Sequence, residues 1–314
     1  MPIKIPRDLP ARKALEDENI FVMTEERANQ QDIRPLEIAI VNLMPLKLDT
    51  EIQLMRVLGN SPIQVNITLA HTATHESRHT SKRHLERFYK TFDQICDNTY
   101  DGMILTGAPV EQLPFEEVDY WEELSLFMDF AQKRVFSTLY LCWAAQAALY
   151  HFYGIPKYQL PAKISGIFSH KALVPNSPLM RGFYDQFLAP HSRHTEIRAE
   201  DCARVGDLRL LASSPEAGLA LLESRDRRQV FMTGHLEYER DTLNREFQRD
   251  ARKGLRPQKP RHYYPLDDPQ NEPLMLWRAH AHLFFNNWLN YYVYQETPFR
   301  LNAISALSSN KQGS

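Results

Sequence analysis

Short apolar runs alternate with amphipathic stretches of helical spacing along the first half of the chain. "LEIAIVNLM", Leu36 to Met44, is nearly continuously apolar and ends at Pro45, the pattern of a strand buried on both faces of a parallel sheet. From Asp49 onward Ile52, Met55 and Leu58 recur at every third position before Gly59, which predicts a helix. "IQVNITLA" alternates like a strand, residues 84–97 are polar and helix-compatible, and "DGMILTGAP" is a strand that breaks at Gly107 and Pro109. Helical spacing through "VDYWEELSLFMDFAQKR" leads into a further strand, "VFSTLYLC". Strands alternating with helices predict an α/β fold with a mainly parallel sheet. Ligands in such folds bind beyond the carboxyl ends of the strands.

The periodicity weakens over residues 155–205, which predicts loops and short strands there. "LRLLAS", "AGLALLES" and "RQVFMTGH" read as strands. A helix is predicted over Thr242 to Lys253, capped by Asp241 and stopped by Gly254, and a proline-rich loop over 256–273. "LMLWRAHAHLFFNNWLNYYVYQ" is a long aromatic helix suited to packing against the sheet or against a second copy of the chain, and on it rests the expectation of a homodimer. Residues 1–35 predict an irregular arm, 36–297 the core of a single domain, and 298–314 a flexible tail. No internal repeat or linker divides the chain.

Composition narrows the function. The 314 residues are 43% hydrophobic and 24% charged, an ordinary globular composition, and the net charge of −2 offers no field for nucleic acid or an acidic membrane. No apolar run approaches the roughly 20 residues that span a bilayer, and the N-terminus carries prolines and charges where a signal peptide needs an apolar core. Three cysteines, Cys96, Cys142 and Cys202, are an odd number without C-x-x-C spacing, which argues against a disulfide framework and a thiolate zinc site. A reducing cytoplasm is therefore expected. His71, His75 and His79 have only Glu76 as a supporting carboxylate, so they read as a polar loop; no metal and no cofactor is expected. The basic run "SRHTSKRHLER" reads as a solvated helix face.

Candidate chemistry begins at Cys142, where a strand ends and "WAAQAALYHFY" starts a helix. Such a turn projects the side chain from the sheet, and the helix N-terminus behind it favours a thiolate. Ala144 and Ala145 let helix and strand approach closely, although the flanking glycines of the hydrolase elbow are absent. A buried structural thiol remains the alternative on this pattern alone. Cys96 and Cys202 lack the context. At the end of another strand, "TGHLEYE" offers His235 as a base, with Glu237 two positions on and facing the same side of an extended segment. His-x-Glu by itself reads as a solvated pair; with the cysteine turn at the same sheet edge it reads as a Cys-His-Glu triad. His191 and His194 are the next candidate bases. Glu246 lies one turn before Arg249 on a predicted helix, spaced for an ion pair or for an α-ammonium and an α-carboxylate.

"VNLMP", "LTGAPVE", "LCWAAQAAL", "LAPHSRHTE", "TGHLEYE" and "DDPQNEP", in this order, resemble the homoserine O-acyltransferases of the homoserine trans-succinylase family, enzymes of methionine biosynthesis. The resemblance runs from Met1 into the 290s. It implies a flavodoxin-like sheet akin to the class I glutamine amidotransferases, with Cys142 as the acylated nucleophile, His235 as general base and Glu237 as the orienting acid. It further implies that Lys163 and Arg249 bind the amino-acid substrate and that Ser192 bears on substrate selectivity. Glutamate at position 111 goes with acetyl-CoA in this family and glycine with succinyl-CoA. A fixed Glu111 carboxylate would also repel a succinyl carboxylate. The implied activity is homoserine O-acetyltransfer, with acetyl-CoA and L-homoserine as substrates; succinyl transfer, serine acetylation and an amidotransferase activity are the alternatives. For the oxyanion the Trp143 N–H is the first donor expected, with Lys47 or the Gly107 turn as the second. Where family members carry a second lysine after Pro45, this chain has Leu46.

Overall fold

The computed structural model describes residues 3–6, 8–17, 22–23, 34–75, 79–298, 301 and 304. In chain order the elements are β1 (Ile3–Lys4), α1 (Ala11–Asp17), β2 (Val22–Met23), β3 (Leu36–Val41), α2 (Lys47–Gly59), β4 (Val65–Ala70), α3 (Lys82–Phe88), β5 (Tyr89–Lys90) and β6 (Tyr100–Leu105). There follow α4 (Trp121–Arg134), β7 (Val135–Leu141), α5 (Trp143–Tyr153), β8 (Tyr158–Ala172), β9 (Gln186–Glu196), α6 (Ala199–Ala203), β10 (Leu208–Ser214), β11 (Gly218–Ser224) and β12 (Gln229–Met232). The last helices are α7 (Thr242–Arg252) and α8 (Arg278–Asn287), which runs on as a π-helical segment over Trp288–Tyr294.

One mixed sheet carries the strands in the order β2-β1-β4-β3-β6-β7-β12-β11-β10-β8-β9, with β5 beside the end of β4. Its centre, β4-β3-β6-β7-β12, is parallel and follows the 2-1-3-4-5 order of flavodoxin-like folds, as expected. From β11 onward the sheet turns antiparallel.

Strand alternation divides the core between the two faces. Ile38 and Ile40 point to one face, with α2 and the aromatic helix, where Trp277, Phe284, Phe285 and Trp288 are fully buried. Ala39 and Val41 point to the other, with α4 and α5, where Phe127, Trp143 and four alanines of α5 are buried. The aromatic helix thus packs on its own sheet, with the Trp288 indole donating to Ser137 at 3.1 Å. The feature that suggested a homodimer is accounted for within one chain.

Four expectations need correction. The arm is not irregular where it is described: β1 pairs in parallel with β4, and Ile5, Leu9, Ala11 and Leu15 enter the core. The span 155–205 holds a long hairpin, β8 with β9, whose polar residues hid its alternation. The helix expected over 84–97 ends early: α3 stops at Phe88, and β5 and a 3-10 turn at Phe92–Gln94 follow. Asp241 does not cap α7 through its side chain, which pairs instead with Arg245 at 3.1 Å. Residues 24–33, Glu76 and nearly all of the expected tail lie outside the described residues, but Ile304 is buried. No helix among the described residues is long and apolar enough to cross a membrane.

The hairpin is strapped down at Gly166, whose neighbours exchange main-chain bonds with Arg261 at 2.8 and 2.9 Å. Gly166 has φ +148°, and an added Cβ would collide with the Arg261 main chain, 2.7 Å from its nitrogen. Gly166→Ala is therefore expected to destabilise the protein by roughly 3 kcal/mol, combining backbone strain with overpacking. Denaturant unfolding measures this; a loss below about 1 kcal/mol would mean that the strap yields.

Candidate active site

Loops leaving the carboxyl ends of β3, β6, β7 and β12 converge on a cleft of about 440 Å³. Met44 and Pro45 follow β3, residues 107–113 follow β6, Cys142 follows β7 and His235 follows β12. The hairpin adds Lys163, Ser192 and His194, and α7 adds Glu246, Arg249 and Asp250.

Cys142 is the turn itself. Its φ of 49° and ψ of −113° lie where a non-glycine residue is strained, so the chain reverses sharply from strand to helix. The Cys142 N–H donates to Met232 at 2.6 Å, while its carbonyl accepts from Ala145 at 3.0 Å and Gln146 at 3.3 Å. Trp143 occupies the first helical position, where the N–H has no acceptor within the helix. Gly107 lies against the turn; a Cβ there would come within 3.3 Å of the Cys142 Cβ and 3.7 Å of the Trp143 nitrogen. A larger residue would crowd the Cys142 side chain.

His235 reaches the same point from β12, its N–H bonded to the Pro190 carbonyl at 2.9 Å and its ring stacked on Tyr238 at 4.0 Å. Nδ1 meets Glu237 Oε1 at 2.7 Å, and the charge of Cys142 also acts on the imidazole. The segment is a turn rather than the extended chain expected, with the Tyr238 N–H donating to the His235 carbonyl at 3.3 Å. Burial disfavours the imidazolium, but the charges of Cys142 and Glu237 and the hydrogen bond to Glu237 outweigh it and hold the His235 pKa well above its ordinary value.

The remaining expected residues fall on two sides. On one, Glu246 accepts from Ser192 Oγ, from Tyr238 Oη at 3.1 Å and from Lys163 Nζ at 3.4 Å, while Arg249 Nε meets Asp250 at 2.8 Å. Arg249 is half-exposed and turned toward its neighbour rather than toward Glu246. On the other, the Glu111 carboxylate accepts from the His194 N–H at 2.8 Å. Lys47 stands apart and is not among the residues lining the cleft. Its ammonium donates to the Asn42 carbonyl at 2.6 Å and the Met44 carbonyl at 3.4 Å, which fixes the loop after β3 and leaves the expected oxyanion contact unsupported. Burial pushes the Lys47 pKa down to about 8 against the pull of Glu51.

Several participants were not anticipated. Arg193 is buried, donates to the Thr195 carbonyl at 2.7 Å and to Ala217, and adds a positive charge near Cys142. Asp250 and Tyr238 line the cleft beside Cys142 and His235. Arginine alternating with outward residues along "HSRHTE" was the available signal for Arg193. His191, an alternative base, is buried behind Gly234 with Nε2 on His170 Nε2 at 2.8 Å, and burial holds its pKa well below normal; His194 does line the cleft. Burial raises the Cys202 thiol to about 12, and Cys96 donates to the Asp93 carbonyl at 3.4 Å. His71 and His75 bond separately to the Thr72 carbonyl and to Asp119.

Glu237 is one of two negative groups that raise His235. Glu237→Gln removes that charge, so the midpoint of the His235 titration, followed by NMR of ring-labelled histidine, is expected to fall toward the ordinary 6.5. Equal midpoints in the two proteins would mean that Glu237 only orients the ring.

The sequence profile described as "Homoserine O-succinyltransferase" matches residues 2–299. A homoserine O-acetyltransferase of Desulfovibrio desulfuricans is 66% identical over 97% of this chain and 97% of its own length. One of Acetivibrio thermocellus is 58% identical over 97% of this chain and 100% of its own. Among solved structures, a glutamine amidotransferase of Thermotoga maritima superposes with a TM-score of 0.54 at 12% identity, covering 84% of this chain and 100% of its own. One of Methylobacillus flagellatus gives 0.54 at 11% identity over 86% of this chain and 99% of its own. The structural likeness concerns the fold alone; the full-length sequence matches go further, and by them the chain belongs to the homoserine O-succinyltransferase family.

Proposed function

We propose that this protein transfers the acetyl group of acetyl-CoA to the hydroxyl of L-homoserine through an acyl-cysteine at Cys142, yielding O-acetyl-L-homoserine for methionine biosynthesis. The observation that carries the reading is the Cys142, His235, Glu237 line at the base of a cleft with Glu111 on one wall and Lys163, Ser192, Glu246 and Arg249 on the other. Relatives 55–66% identical over nearly their full length, all named homoserine O-acetyltransferase, support it.

In the first half-reaction the Cys142 sulfur adds to the thioester carbonyl, and the resulting oxyanion meets the Trp143 N–H at the helix start, with the Gly107 loop alongside. The C–S bond to CoA breaks, the CoA thiol leaves with a proton from His235, and the acetyl group stays on Cys142. In the second, the homoserine hydroxyl gives its proton to His235 as its oxygen attacks the acetyl carbonyl, and Cys142 departs to re-form its pair with the imidazolium. Glu246 and Asp250 offer acceptors for the α-ammonium, and Lys163 and Arg249 offer donors for the α-carboxylate.

Glu111 sets the acyl donor in this reading. Its carboxylate would face the terminal carboxylate of a succinyl group, and two like charges about 4 Å apart at an effective dielectric near 20 repel by roughly 4 kcal/mol, an upper scale of about a thousandfold. The family profile's own description favours a second reading, succinyl transfer. Measuring kcat/KM for both donors separates the two: wild type is expected to prefer acetyl-CoA, and a preference for succinyl-CoA would overturn the assignment of donor while leaving the triad in place. Glu111→Gly is expected to raise succinyl-CoA relative to acetyl-CoA by less than the full scale, since removing Glu111 adds no cation to receive the succinyl carboxylate.

Cys142→Ser is expected to abolish both acyl transfer and the acetyl adduct seen by intact-protein mass spectrometry after mixing with acetyl-CoA. An adduct that persists in this variant would place the acyl group elsewhere. Glutaminase activity in the wild type would instead favour the amidotransferase alternative.

A further inference from the structure

Glu111 is gripped at both ends, and the grip leads back to the nucleophile's own helix. Its main-chain carbonyl accepts from Lys157 Nζ at 2.7 Å, and the same ammonium takes the Leu113 carbonyl. Its carboxylate rests on the His194 N–H at 2.8 Å, with Thr195 Oγ1 more distant at 3.5 Å. That hydroxyl has one proton, and a partner at 2.7 Å, Gln146 Oε1, takes it in preference to Glu111. Gln146 completes the pair by donating from Nε2 to the Thr195 carbonyl at 3.3 Å, a carbonyl that Arg193 also holds at 2.7 Å. Gln146 and Thr195 are both almost wholly buried, at 1% and 2% exposure, so neither can exchange these bonds for water. Gln146 stands one turn beyond Cys142 on α5, and its N–H donates to the Cys142 carbonyl at 3.3 Å.

We propose that Gln146 and Thr195 are specificity-positioning residues: by gripping each other they fix the segment 193–195, aim the His194 N–H at Glu111, and so hold the Glu111 carboxylate against the acyl group bound at Cys142. The inference rests on the acyl-donor reading of Glu111 given above and extends it to residues that touch neither substrate. Release of the grip lets the carboxylate swing aside, so the barrier to a charged acyl group falls more than the barrier to acetyl.

The test is the ratio of kcat/KM for succinyl-CoA over acetyl-CoA in wild type, Thr195→Val, Thr195→Ser, Gln146→Leu and Glu111→Gly. Thr195→Val and Gln146→Leu are expected to raise the ratio about tenfold, the scale of one lost buried hydrogen bond, and Thr195→Ser to restore it. Adding Thr195→Val to Glu111→Gly is expected to change the ratio no further, because the group being positioned is gone. Equal losses with both donors, or a ratio that rises equally with and without Glu111, would overturn the inference and leave a structural role. If Glu111→Gly alone leaves the ratio unmoved, the acyl-donor reading itself fails and takes this inference with it. Gln146→Leu, on a different element, carries the same expectation should Thr195→Val prove too unstable to assay.

Discussion

The backbone of Cys142 sits at φ 49°, a conformation that costs a non-glycine residue on the order of 1–3 kcal/mol, and the surrounding structure has to hold it there. Three main-chain bonds do so, one to Met232 on the neighbouring parallel strand and two into the first turn of α5. Behind them β7 lies in the middle of the sheet and α5 presses four buried alanines onto it, so the turn cannot relax by moving either element. The thiol is thereby presented at the helix N-terminus and next to β12, whose end delivers His235.

Charge is distributed around that turn with the same economy of parts. A buried imidazolium is tolerable because Glu237 lies on one side of it and Cys142 on the other. Arg193 adds a second buried cation, its guanidinium bonded to two main-chain carbonyls and its field directed to Cys142, Glu196 and Glu111. The ionic groups suited to an amino acid, Lys163, Glu246, Arg249 and Asp250, come from the hairpin and α7. In the proposed reading, the choice of acyl group falls to one loop residue after β6, Glu111. Amidotransferases share this fold at 11–12% identity, so the sheet alone does not decide the substrate.

Local pattern made much of this legible. The parallel centre declared itself in short apolar runs bounded by Pro45, Gly107 and Pro109, and a strand that ends in cysteine before an alanine-rich helix has few meanings. The β8–β9 hairpin was hidden because its strands carry polar residues at cleft-facing and buried positions alike, including His170, His191, Arg193 and Thr195. Alternation of hydrophobicity fails when a buried position is polar and finds its partner on another strand. The arm was hidden for a different reason: β1 is two residues long, and its pairing with β4 is a tertiary fact without a local signature.

The sequence by itself determined the element types at the centre of the sheet and, through its family motifs, the class of reaction, and it singled out Cys142, His235 and Glu237 as candidates, because each of these rests on residues close together in the chain. Only the tertiary structure decided what lies between distant residues. It turned Lys47 inward to main-chain carbonyls, placed Glu111 on the His194 N–H 83 positions away, and joined Gln146 to Thr195 across 49. Burial and hydrogen-bond satisfaction are properties of the packed chain, since a polar side chain removed from water takes whatever partner the fold brings within reach.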